Sequence, residues 1–240
     1  MSEPPRLHRL QDWLRTLGEP RIHRAESVFV VGLGRFGGAL AQRLVSLDVE
    51  VMAVDVSQEL VDYWSERLTD VRLADSTNPA VLRQLGAAEF DAAVVAIGSS
   101  LEASILSTSA LADLGVPNIW AKAVTDEHGK ILERVGAHHV VYPERQAGER
   151  VAQVVTGQVL DYFPLDDGFV LVELATPSRY SGIVLSDSDI RKRFGVTVVC
   201  VKPSGEPFTY ATADTVLTEG DLLVIAGTVG DVERFTSDSS

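Results

Sequence analysis

Three glycines, an arginine and an aspartate make the clearest chemical pattern in this chain. In "VFVVGLGRFGGALAQRLVSLDVEVMAVDVS", residues 28–57, Gly32, Gly34 and Gly37 follow an apolar run and open a helical one. Their spacing is G-x-G-x-x-G. The first glycine permits a tight turn, the second lets a pyrophosphate approach the backbone, and the third lets helix and strand pack closely. Backbone N–H groups at the helix N-terminus then face the anion. Asp55 ends the next apolar run, where a carboxylate accepts bonds from ribose hydroxyls and disfavours a 2′-phosphate. Arg35 lies inside the loop. Its guanidinium pairs bidentately with phosphate oxygens, which points to a ligand carrying more phosphate charge than NAD. The spacing fits two classes of protein: an NAD(H)-dependent oxidoreductase or redox sensor, and a nucleotide sensor with no chemistry of its own.

An oxidoreductase needs a proton-transfer group beside the hydride path. The histidines are His8, His23, His128, His138 and His139. The first two lie in a terminal extension, His128 begins a polar helix, and the last pair opens a strand, where a structural role fits. Tyr-x-x-x-Lys, H-E-x-x-H and G-x-S-x-G are absent from the sequence. The single Cys200 excludes an intramolecular disulfide or a multi-cysteine metal site, and its apolar run "VTVVCVK" suits a buried structural thiol. A net charge of -13 argues against nucleic acid as the main partner. No run of about 18 apolar residues spans a bilayer. The N-terminus has no secretory apolar region, so a cytoplasmic location is expected.

These residues must be placed by a framework, and the pattern supplies one. "VFVVGL", "EVMAVD", "DVRLAD", "AAVVAIG", "VPNIWAKA" and "AHHVVYP" are short apolar runs separated by helical patterns. Such alternation predicts βαβ units, hence an α/β fold with a Rossmann-like doubly wound parallel sheet over residues 27–157. "YPERQAGERVAQVVTGQVLDYF" reads as a helix leaving the sheet, with "PLDDG" a turn after it. Residues 158–236 then read as a small α+β domain with strands at "FVLVELA", "VTVVCVKPSG", "PFTYA" and "DLLVIAGT". "SDSDIRKRFG" is a short helix that Ser186 or Asp187 could cap and Gly195 could end. Residues 237–240 form a frayed tail, within the polar stretch "TSDSS". Residues 1–26 form an extension in which Leu7, Leu10, Trp13 or Leu14, and Leu17 fall at helical spacing. That stripe suits docking on a partner subunit or lipid headgroups, while packing on its own domain, or plain disorder, fits at least as well.

The run "GLGRFGGALAQRL…VEVMAVD…ADST…LGAAEFDAAVVAIG…LGVPNIWAKA…LERVGAHHVVYPER" resembles an RCK domain, the regulator-of-potassium-conductance type. It is similar to the cytosolic gating subunits of Ktr/Trk bacterial potassium uptake systems, and "DIRKRFGVTVVCVK…GDLLVIAGT" resembles their C-terminal lobe. The resemblance covers residues 27–235. It implies a non-enzymatic ATP/ADP switch, forming dimers that assemble into a ring, an octamer, beneath an integral-membrane K⁺ transporter subunit. The protein would then sit on the inner face of the cell membrane. By the same resemblance Gly32, Gly34, Phe36 and Gly37 form the nucleotide loop, Arg35 meets phosphates and Asp55 binds ribose. Asp75, Ser76 and Thr77 line the adenosine side, Ile97 and Gly98 close over it, and Lys122 adds a phosphate-facing charge. Glu144 would hold Mg²⁺ or Ca²⁺ beside the γ-phosphate, since a carboxylate faces polyphosphate only through a hard cation. From residue type alone, Lys122 and Glu144 fit surface solvation equally well. Many relatives bind cyclic di-AMP in the C-terminal lobe, and Ile190 and Arg191 fall at the matching positions. Here Leu185 and Ser186 stand where an apolar pair is expected, and Arg191 could instead pair with Asp187 or Asp189.

Overall fold

A computed structural model of the chain describes residues 25–155, 159–165 and 168–238. The Leu7–Leu17 stripe therefore lies outside the described residues. The chain divides into two units, the first ending at Tyr142 and the second starting at Pro143.

In the first unit the apolar runs become parallel strands: β1 (Ser27–Val31), β2 (Glu50–Asp55), β3 (Asp70–Leu73), β4 (Ala92–Val95), β5 (Ile119–Lys122) and β6 (His139–Val141). They form one sheet in the order β3-β2-β1-β4-β5-β6. The central strands β1 and β4 are valine- and alanine-rich and almost wholly buried, as a parallel sheet covered on both faces requires. The edge strands β3 and β6 are half exposed. Five helices connect them: α1 (Arg35–Val45), α2 (Gln58–Ser65), α3 (Pro79–Gln84), α4 (Leu101–Asp113) and α5 (Asp126–Arg134). Ser57, Asn78, Ser100 and Thr125 cap α2 to α5 by accepting a first-turn N–H. α1 differs. Its N-cap is Gly34, which has no side chain to accept those bonds.

The second unit begins with α6 (Pro143–Val155) and carries a five-stranded sheet in the order β10-β9-β11-β8-β7. Its strands are β7 (Asp161–Pro164), β8 (Phe169–Ala175), β9 (Thr197–Lys202), β10 (Thr209–Tyr210) and β11 (Leu222–Thr228), all paired antiparallel. α7 (Ile190–Phe194) and α8 (Val229–Ser237) complete it.

Four sequence expectations change here. The division falls at Tyr142–Pro143 instead of after residue 157, because α6 is tied to β7. Arg150 donates from Nε and Nη2 to the two carboxylate oxygens of Asp161, at 2.8 and 2.7 Å, and lies 4.8 Å from the Phe163 ring centroid. "DYFP" is strand β7 and not the end of a helix; Phe163 pairs across to Leu171 of β8. Ser186 and Asp187 form a 3₁₀ turn of their own, and α7 starts from Asp189, in a left-handed conformation at φ 52°. Gly195 does end α7, at φ 81°. Finally, the stretch expected to fray begins as helix. α8 is capped by the Thr228 hydroxyl, which accepts from the Asp231 N–H, and Phe235 and Thr236 are buried.

Candidate nucleotide-binding site

The strand order reverses direction between β1 and β4, so the carboxyl ends of these two strands open a crevice there. The glycine loop leaves β1 at this point. Gly32 takes φ +93°, which a side chain would resist, and donates its N–H to the Val54 carbonyl at 2.8 Å. A Cβ on Gly37 would stand 1.9 Å from the Gly32 oxygen and 2.9 Å from the Ala96 Cβ, so α1 can approach β1 only with glycine there. A Cβ on Gly34 would meet nothing within 4 Å. The second glycine thus faces open space while the third is crushed against the strand, the division of labour its spacing implies.

Asp55 is engaged from two sides. Its Oδ2 accepts the Leu33 N–H at 2.6 Å and its Oδ1 accepts the Ser57 N–H at 2.8 Å. Each carboxylate oxygen has a second lone pair, so the group orders the loop and keeps acceptor capacity for a ribose. Ile97 flanks the loop, its Cγ1 lying 3.3 Å from a Cβ built on Gly32. Lys122 is 9 % exposed, which excludes the solvated-surface alternative for it. Its Nζ lies 3.0 Å from a Cβ built on Gly98 and 5.9 Å from the Phe36 ring centroid, a cation set against an aromatic face. Arg35 is the exposed first residue of α1.

At the end of β3, Asp75 accepts from the Thr77 hydroxyl at 2.7 Å and the Thr77 N–H at 3.0 Å. The hydroxyl bond first, and the backbone bond next, hold the Asp75 carboxyl below the usual carboxylate range. Ser76 is 5 % exposed and its hydroxyl shares a 2.7 Å bond with that of Ser107 on α4, so that hydroxyl already has a protein partner. Glu144 is an exposed residue in the first turn of α6 and belongs to the second unit. Among the described residues no group of three or more His, Cys, Asp or Glu side chains stands together as a ready metal site.

The second unit has a cleft of about 390 Å³ lined by residues that include Leu185, Asp189, Ile190, Arg191, Thr197 and Ala213. Arg191 is exposed, and among the described residues it forms no ion pair with Asp187 or Asp189. Ile190 is 2 % exposed and belongs to the core as well as to the cleft wall.

The TrkA-N domain matches residues 28–143, and the TrkA-C domain matches residues 169–238. Ktr system potassium uptake protein C of Bacillus subtilis (strain 168) is 41 % identical over 207 residues, covering 86 % of this chain and 94 % of its own length. The chain belongs to the Ktr family of RCK-type potassium uptake proteins. Ktr system potassium uptake protein A of the same organism is 35 % identical over 87 % of this chain and 95 % of its own. The counterpart from Vibrio alginolyticus is 33 % identical, covering 82 % and 90 %. All three of these relatives are named as potassium uptake proteins. A solved GsuK channel bound to NAD superposes with a TM-score of 0.63 at 21 % identity, over 96 % of this chain and 43 % of that one. At that identity the likeness is one of fold. No helix among the described residues is long and apolar enough to cross a membrane.

Two residues of this Ktr-family site escaped the sequence reading. A Cβ on Gly38 would lie 2.0 Å from Cζ2 of Trp64, and the Trp64 indole N–H donates to the Leu33 carbonyl at 2.9 Å. The doublet Gly37–Gly38 was a signal for close packing, but only the fold reveals that a tryptophan on α2 fills the space.

Proposed function

We propose that this chain is the cytosolic regulatory subunit of a potassium uptake system, and that ATP or ADP bound in the first unit's crevice sets the state of an integral-membrane K⁺ transporter subunit. The observation that carries the reading is the loop itself. Gly34 borders open space at a helix end with no side-chain cap, in a chain 41 % identical to a Ktr potassium uptake protein. Peptide N–H groups there suit phosphate oxygens. The bound nucleotide would supply a phosphate chain whose length differs between the two ligands.

The chain's own residues do the rest. Asp55 holds the loop's backbone and offers lone pairs to a ribose. Arg35 reaches phosphate from the rim, and Lys122 brings a second positive charge beside Gly98. Glu144 is the carboxylate assigned to Mg²⁺ or Ca²⁺. With no preformed cluster of metal ligands among the described residues, such an ion would share its coordination with phosphate oxygens and water. Homo-oligomers, dimers assembling into an octameric ring on the inner face of the membrane, would let small preferences add. Shifting a two-state ring from one form to the other takes on the order of 5 kcal/mol of differential affinity. Cyclic di-AMP is the candidate ligand of the Arg191 cleft.

A thermal-shift series tests the reading, using ATP, ADP, NADH, NAD⁺ and cyclic di-AMP, each with and without Mg²⁺ or Ca²⁺. Stabilisation by ATP above NADH, increased by the cation, is expected. Preference for NADH with no cation effect would transfer the site to the redox class. Arg35→Ala is expected to weaken ATP more than ADP in a binding titration. Equal loss for both would remove Arg35 from γ-phosphate recognition.

A further inference from the structure

We infer that Trp64 is a positioning residue for the phosphate loop, acting on the nucleotide through the Leu33–Gly34 peptide. The inference rests on the nucleotide reading above. A trans peptide holds its C=O and N–H in one plane, pointing to opposite sides of the C–N bond, so fixing one atom aims the other. Two successive peptides of the loop are fixed in this way. In the Gly32–Leu33 peptide the N–H is held by Asp55 at 2.6 Å, and the Gly32 oxygen is turned against Gly37. In the Leu33–Gly34 peptide the carbonyl is held by the Trp64 indole N–H at 2.9 Å, and the Gly34 N–H is therefore aimed away from α2. The indole cannot slide off this carbonyl, because its ring packs onto Gly38, where a Cβ would lie 2.0 Å from Cζ2 and 2.4 Å from Cε2. Tyr63 meets the indole edge to face, with ring centroids 5.2 Å apart. α2 therefore sets, through Trp64, the direction of a donor in the crevice.

The test uses the full chain and isothermal titration with ATP, ADP and NADH, well below the unfolding temperature. Trp64→Phe keeps an aromatic ring near Gly38 and removes the N–H. Affinity for whichever nucleotide binds the wild type is expected to fall about five- to tenfold, the scale of one lost hydrogen bond. Val61→Ala is the control, since Val61 is buried on the same helix and has no bond to the loop. It should lower stability and leave affinity unchanged. Hydrogen–deuterium exchange over residues 32–38 should quicken in Trp64→Phe and stay as wild type in Val61→Ala. If Trp64→Phe does not fold, Gly38→Ala displaces the indole from the other side and should weaken binding likewise. Unchanged affinity in Trp64→Phe, or equal loss in Val61→Ala, overturns the inference. If the wild type binds none of the three nucleotides, the nucleotide reading fails. The exchange comparison then still decides whether Trp64 orders the loop.

Discussion

Gly34→Ala places one methyl group at the mouth of the loop, where the structure leaves at least 4 Å of free space. Gly34 has φ -62° and ψ -171°, a conformation open to any L-residue. Two terms act on the empty protein. Removing glycine's freedom in the unfolded chain stabilises by about 0.4–1 kcal/mol. Alanine is a poorer N-cap than glycine, which costs a similar amount, about 1 kcal/mol. They nearly cancel, so the unliganded variant should unfold within about 1 kcal/mol of wild type. Binding is another matter. A nucleotide at a hundred times its Kd adds about 2.7 kcal/mol, or roughly 5–10 °C in Tm. A methyl forced against a pyrophosphate costs about 2 kcal/mol, enough to weaken affinity roughly thirtyfold and leave under ~1 kcal/mol of that stabilisation. Calorimetric melting of both proteins, with and without ATP, checks this. A variant that keeps the full ATP shift would show that phosphate does not approach Gly34. One already several kcal/mol less stable without ligand would refute the open space itself.

Gly37→Ala should behave in the opposite way, because its Cβ would meet backbone oxygen and a buried Cβ with no flexible side chain to yield. A loss of about 3 kcal/mol in urea unfolding is expected, and a loss under about 1 kcal/mol would mean that α1 and β1 are not in close contact. His128 gives a pH prediction. It is 2 % exposed, its Nδ1 accepts the Val124 N–H at 3.3 Å, and burial lowers its pKa below the ordinary 6.5. The unfolded chain therefore binds a proton that the folded chain refuses. Stability from this group is complete above about pH 6.5 and falls as the pH drops below it. The urea midpoint of wild type minus that of His128→Leu should shrink between pH 7.5 and 5.5; a constant difference would contradict a neutral buried imidazole.

The parallel sheet was legible because each strand is short, apolar and β-branched, and because the glycine loop fixed which strand comes first. The six strands fall where the runs fall. The second unit was harder. "DYFP" carries no long alternation, and its strand character comes from pairing with β8, a contact between segments that sequence periodicity does not display. α8 was hidden by a polar tail composition that its Thr228 cap overrides. In the loop, the backbone duties of Gly32, Gly37 and Asp55 follow from spacing and are seen in the geometry. The bond of Ser76 to Ser107 could not be read, since the partner lies 31 residues away on another element. Trp64 was invisible for the same reason: an amphipathic helix needs a large residue somewhere, and nothing local says that this one reaches the loop.

The preset geometry of the loop bears on where a switch can draw its energy. Asp55, Trp64 and the Gly37 contact fix successive peptides before any ligand arrives, so binding there needs little ordering. On the proposed reading a rigid loop that gripped the diphosphate common to ATP and ADP would grip both alike, and a ligand bound equally in two states shifts neither. Affinity and discrimination must then lie in different residues. The loop supplies the first. On the proposed reading the second would fall to a group that the loop does not fix, exposed Arg35 at the start of α1. Substitutions in the loop should accordingly weaken every adenine nucleotide together, whereas those at Arg35 should change the ratio between them.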